Sequence, residues 1–80
     1  MITVANAIRA VFAESVIRER RARHWSQVEL ALKAGISRST VFNLEHQHQG
    51  VSLEVAAVIA DAFGIPLAGL LGSGPEADRA

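Results

Sequence analysis

Apolar residues recur at helical spacing along the first quarter of the chain: Val4, Ile8, Val11, Phe12 and Val16. Steps of three and four predict an amphipathic helix. Thr3 is a suitable N-cap, and neither Gly nor Pro occurs before Arg23. The stretch therefore reads as one helix of about 20 residues, about 30 Å long. Ser26 caps a second helix, with Glu29 three positions on to complete a capping box. Leu30, Ala31 and Ala34 form its apolar side, Gly35 ends it, and Ile36 is placed to fill the space under the turn. Ser37 caps a third helix, in which Val41 and Leu44 face inward while Arg38, Ser39, Thr40, Phe42 and Asn43 face out. Ser52 and Gly64 bracket a fourth, Leu53 to Phe63, with Leu53, Ala56, Ile59, Ala60 and Phe63 inward and Val55 and Val58 on the other side. Pro66 suits the first turn of a short fifth helix ending at Leu71. Residues 72–80, with Gly, Ser and Pro and no periodicity, have the composition of a solvated, flexible tail. The expectation is an all-α, compact five-helix domain over residues 1–71 with an extended N-terminal helix.

Composition narrows the picture. Eighty residues allow one small domain, and a half-hydrophobic composition supplies a core without staples. The absence of Cys removes disulfides and thiolate metal sites and is compatible with a cytoplasmic location. The longest apolar run, residues 62–72, is short and interrupted by Pro66 and three glycines, so no membrane span is expected. The N-terminus lacks the basic region of a signal peptide. Net charge is zero, which fits poorly with nucleic-acid binding. The charges are polarised, however. Arg18, Arg20, Arg21, Arg23, Lys33 and Arg38 face only Glu19 and Glu29 in the same stretch, whereas five acids and Arg79 alone follow from Glu45 onward. Such a local field steers an anionic partner even when the sum vanishes.

A helix, a glycine turn and a polar-faced helix over residues 26–45 is the layout of a helix-turn-helix. Ser26, Gln27, Leu30, Ala31, Ala34, Gly35, Ile36, Ser37, Ser39, Val41, Leu44 and Glu45 stand at the spacing of one family in particular. The match continues through Ser52-Leu53, Ala60, Phe63-Gly64-Ile65 and Leu70-Leu71. Over roughly residues 16–71 the chain resembles the Cro/C1-type (XRE, lambda-repressor-like) helix-turn-helix family. The resemblance implies a sequence-specific, double-stranded DNA-binding transcriptional regulator, a repressor or autoregulator, acting as a homodimer on an inverted repeat. The third helix would lie in the major groove, with Arg38, Ser39 and Asn43 on base edges. Ser37, Thr40, His46 and His48 suit phosphate contacts. Gln27 matches a family position that contacts phosphate and braces the recognition helix, and Arg20 matches the position that pairs with Glu45. Leu67, Leu70 and Leu71 fall where many members dimerise.

The chain departs from the family after Glu45. In place of the usual basic residues, glycine and proline stand His46, Gln47, His48, Gln49, Gly50 and Val51, with Gly50 placed to take over the turn. Histidines there predict binding that strengthens as pH falls. Two histidines without an acid cluster do not make a metal site. Trp25 is expected in the core or packed on the turn. The apolar stripe of the N-terminal helix has two readings: it covers the domain's own core, or part of it, Ile8 and Val11 included, packs on a second subunit. The competing class is a protein-interaction module of the same fold, such as an antitoxin that binds a toxin protein. No nucleophile triad, carboxylate pair or phosphate-cradling loop is present, so neither an enzyme nor a cofactor is expected.

Overall fold

The structure, a computed structural model, describes residues 3–72. Four α-helices follow one another: α1 (Val4–Ala22), α2 (Gln27–Ala34), α3 (Arg38–Gln47) and α4 (Leu53–Phe63). A 3-10 helix, Leu67–Leu70, completes the order, and the described residues contain no strand. Each α-helix opens on a hydroxyl cap. Thr3 accepts from the Asn6 N–H, Ser26 from Glu29, Ser37 from Thr40 and Ser52 from Val55. At α2 the box is reciprocal, since the Ser26 N–H donates to Glu29 Oε1 at 2.7 Å. Helices α2 and α4 end on Gly35 and Gly64, both left-handed at φ 72. The residue after each glycine donates back into the helix, Ile36 to the Ala31 carbonyl and Ile65 to that of Ala60. Both turns thus satisfy carbonyls that the helix leaves open.

The core gathers Phe12, Val16, Leu30, Val41, Leu44, Ile59, Phe63 and Leu70, with α2 packed on α3 and α4, and α1 crossing α3, α4 and the 3-10 helix. Burying one such side chain contributes about 1.5–3 kcal/mol. Trp25 stacks on Phe63 at 5.6 Å between ring centres, beneath the turn that joins α1 to α2. Arg23 holds this corner together. Its guanidinium lies over the Phe63 ring, donates to the Phe63 carbonyl at 2.8 Å and pairs with Glu19 at 2.8 Å. The Arg23 guanidinium, with Arg18 adding to it, outweighs partial burial and holds the Glu19 carboxyl below the usual glutamate range.

Several expectations change. The fifth helix is not an α-helix but a single 3-10 turn of four residues, closed by Gly69 N–H to the Pro66 carbonyl and Leu71 N–H to that of Ala68. Its N-cap, Pro66, offers no side-chain acceptor, and the segment between Pro66 and Gly72 is too short to repay α-helix nucleation. Leu70, expected at a subunit interface, is fully buried in the chain's own core. Leu53, expected inward, is 78% exposed at the first residue of α4. Val55, expected outward, packs half-buried on the core, because it lies one turn before Ile59 at the edge of the same stripe. The turn after α3 is made by His48 at φ 51 rather than by Gly50. Of the apolar residues that α1 carries before Phe12, none is buried: Val4, Ile8 and Val11 are all exposed. The first two turns of α1 therefore do not close this core. No helix among the described residues is long and apolar enough to cross a membrane.

Candidate nucleic-acid interface

Helix α3 is fixed from one side and open on the other. Val41 and Leu44 are buried in the core, and Glu45 joins them as a buried charge. At 100° per residue, Ser39, Asn43 and His46 fall on the face opposite Val41 and Leu44. Arg38, Ser39 and His46 are exposed there and Asn43 is half-buried. Arg38 and Ser39 occupy the first two positions of the helix, where unpaired N–H groups and the positive end of the dipole also point outward.

A bidentate ion pair sets how α3 sits on the rest of the molecule. Arg20 Nε donates to Glu45 Oε2 at 2.8 Å and Arg20 Nη2 to Glu45 Oε1 at 2.9 Å. The third guanidinium nitrogen, Nη1, donates to the Trp25 carbonyl at 2.8 Å. One side chain of α1 is thereby tied both to α3 and to the α1–α2 turn just before the cap of α2. Gln27, the first residue of α2, enters the same network. Its amide nitrogen donates to Glu45 Oε1 at 3.0 Å and lies 3.0 Å from His46 Nε2. The His46 ring in turn tilts against Phe42, one turn earlier, at 4.3 Å between centres.

The other expected contact residues have mixed surroundings. The Ser37 hydroxyl caps α3 and lies 2.9 Å from the Thr40 hydroxyl. One of the two donates to the other, which leaves a single hydroxyl proton of the pair to point outward. Asn43 and Thr40 line a small groove with Gln49, Gly50 and Val51. The Asn43 carbonyl accepts the N–H groups of His48 and Gln49, which fixes the chain where it leaves the helix. His48 is exposed, on the left-handed residue of that turn, away from the Gln27–His46 pair. The structure thus gathers Gln27, Glu45, Phe42 and His46 on one flank of α3, and Thr40, Asn43 and the following loop on the other. The Gln27–His46 contact and the Ser37–Thr40 pair were not anticipated from the sequence. The i, i+4 spacing of Phe42 and His46 was the one local signal available.

The charge available to this face is smaller than a count of residues suggests. Arg20 and Arg23 are each held by an acid and a backbone carbonyl, and Arg18 lies 3.4 Å from Glu19. Arg38 and Arg21 are exposed, as is Lys33, whose ammonium sits 4.9 Å from the Trp25 ring centre. Among the described residues no cluster of three or more His, Asp or Glu side chains is placed to hold a metal ion.

The geometry has close counterparts. A crystal structure of a hypothetical transcription factor, NHTF, from Neisseria superposes with a TM-score of 0.81 at 28% identity, covering 99% of this chain and 90% of that one. The restriction-modification controller protein C.AhdI from Aeromonas hydrophila superposes with a TM-score of 0.76 at 31% identity, covering 81% of this chain and 98% of its own. No curated protein matches the sequence. The family model for the helix-turn-helix HTH_3 matches residues 16–70, which spans every described element from the middle of α1 to the 3-10 helix. The chain belongs to the Cro/C1-type (XRE) family of helix-turn-helix DNA-binding proteins.

Proposed function

We propose that this protein is a transcriptional regulator that reads an inverted-repeat operator as a homodimer, with α3 in the major groove. The observation that carries this reading is the exposed polar face of α3, held in place by the Arg20–Glu45 pair on its buried side. Arg38 is suited to guanine O6 and N7, Asn43 to adenine N6 and N7, and Ser39 to an edge or a phosphate. Each good bidentate pair is worth about 1–3 kcal/mol of discrimination. Ser37, Thr40 and His48 supply hydrogen bonds to the phosphates on either side, and Gln27 and His46 stand at the same face with their side chains in contact with each other. They carry little fixed charge. Two or three phosphates neutralised per subunit would give a slope of about −4 to −5 for log affinity against log salt per dimer.

A single module of this size makes few base contacts, and two-fold symmetry doubles them. The proposed subunit interface uses Ile8, Val11, Leu67 and Leu71. Ile8, Leu67 and Leu71 line an apolar groove of about 370 Å³ between α1, the start of α4 and the 3-10 helix, and Val11 is exposed on the same helix as Ile8. The same groove also suits the second reading, in which the fold serves to bind another protein.

Selection of bound sequences from random DNA tests the first reading, with recovery of an inverted repeat whose half-site centres lie about one helical turn apart as the expected result. Arg38→Ala should abolish the gel shift on that duplex with helicity unchanged. Failure to shift any DNA at low salt would turn the case to the protein-binding alternative.

A further inference from the structure

The contact between Gln27 and His46 has a protonation state written into it. Glu45 Oε1, bound by Arg20, is a carboxylate oxygen and can only accept. The atom of Gln27 that faces it at 3.0 Å is therefore the amide nitrogen, and that same nitrogen lies 3.0 Å from His46 Nε2. An amide nitrogen only donates, so Nε2 must present its lone pair and the ring must carry its proton on Nδ1. His46 is neutral in this arrangement, and both N–H bonds of the Gln27 side chain are spent on contacts within the chain. Protonating His46 puts a hydrogen on Nε2, so that two donors meet at 3.0 Å. Rotating the amide offers no escape, because its oxygen would then face the Glu45 carboxylate. The hydrogen bond to His46 is lost while the one to Glu45 remains.

We infer that His46 is a positioning residue for Gln27, a latch worked by one proton. Neutral, it holds the second Gln27 N–H in a contact within the chain, at the surface. Protonated, it releases that N–H at the N-terminal end of α2 toward a DNA phosphate and adds a positive charge of its own beside it. This inference rests on the DNA-binding reading above. The charged groups joined to the latch are Arg20 from α1 and Glu45 from α3, already paired with each other; α2 contributes the neutral Gln27, and the ring's stacking partner, Phe42, is apolar. The direction follows: operator affinity rises as pH falls and the ring takes up its second proton.

The test uses the full chain and a duplex carrying the sequence selected from random DNA. Wild type should bind about a hundredfold tighter at pH 6 than at pH 8, the size of one added hydrogen bond to a charged acceptor in each of the two subunits. His48→Gln should keep that rise, His46→Gln should be flat, and Gln27→Ala should lose most of it. An undiminished rise in Gln27→Ala would mean that His46 acts only through its own charge, and would overturn the positioning role. An undiminished rise in His46→Gln would place the proton elsewhere. A second readout needs no DNA: nitrogen NMR of the free protein at pH 8 should find His46 with its proton on Nδ1, and the Gln27 side-chain amide should shift as His46 titrates. A proton on Nε2 at pH 8 would overturn the latch. If the amide follows the titration but no duplex binds at any pH, the DNA reading fails, and the phosphate role with it, while the latch stands.

Discussion

The Glu45 carboxylate receives three donors, Arg20 Nε, Arg20 Nη2 and the Gln27 amide, while its side chain is only 2% exposed. A buried charge of this kind is costly alone and tolerable only when fully partnered. Arg20, at 12% exposed, depends on it equally. Glu45→Ala should therefore destabilise the fold by about 3–5 kcal/mol, mostly by stranding the guanidinium. Urea denaturation with an unchanged slope against denaturant checks this. Exchanging both partners for apolar side chains of similar volume should recover much of the loss, since that removes the stranded charge as well. A loss below about 1 kcal/mol in the single variant would mean that the pair is solvated and that the core alone orients α3. The outward face of α3 does not enter this account, so the residues that would read DNA are free to change without touching what positions them.

At the level of elements, the helix ends show where local chemistry decides and where it does not. Thr3, Ser26, Ser37 and Ser52 all cap in the structure, and Gly35 and Gly64 both terminate, because a hydroxyl acceptor and a missing Cβ act within one turn of themselves. Those positions were legible in the sequence, as were the inward residues Val41, Leu44, Ile59 and Phe63. What was not legible depends on neighbours distant in sequence. The inward seat of Leu70 follows from packing on α1 and α4, and the Gln27–His46 contact needs α2 and α3 already docked. The end of α1 is a third case. It closes on His24 at φ 59, with the Trp25 N–H donating to the Arg20 carbonyl, the geometry that glycine serves in α2 and α4. A side chain in that region carries a Cβ penalty that glycine avoids. His24 is exposed, so little packing would be lost on replacing it. His24→Gly should stabilise the protein by about 0.5–1 kcal/mol, visible as a raised Tm. A lowered Tm would mean that the His24 side chain contributes more than its backbone costs.

On the scale of the whole molecule, charge and apolar surface are arranged differently from what their totals suggest. Zero net charge does not describe the face around α3, and six basic residues near it do not either, since Arg20 and Arg23 are occupied in holding the fold. With so little free charge per subunit, binding energy has to come from two copies acting together, which makes self-association the property on which the proposed function depends. One apolar groove carries exposed side chains that the core does not use: Ile8 is 52% exposed and Leu71 47%, with Val11, 39% exposed, on the same helix as Ile8. Ile8→Lys places a charge in the middle of that surface without entering the core, so the stability of the single chain should change by no more than about 0.5 kcal/mol. Sedimentation should show wild type at about twice the 8.5 kDa chain mass and Ile8→Lys shifted toward a single chain at the same concentration. Operator affinity should fall with it, steeply, because each half-site then binds alone, and raising protein concentration should restore part of it. An Ile8→Lys variant that stays dimeric would move the interface away from α1. One that becomes monomeric yet binds the operator as tightly as wild type would show that a single helix-turn-helix suffices, and would remove the argument for two-fold recognition.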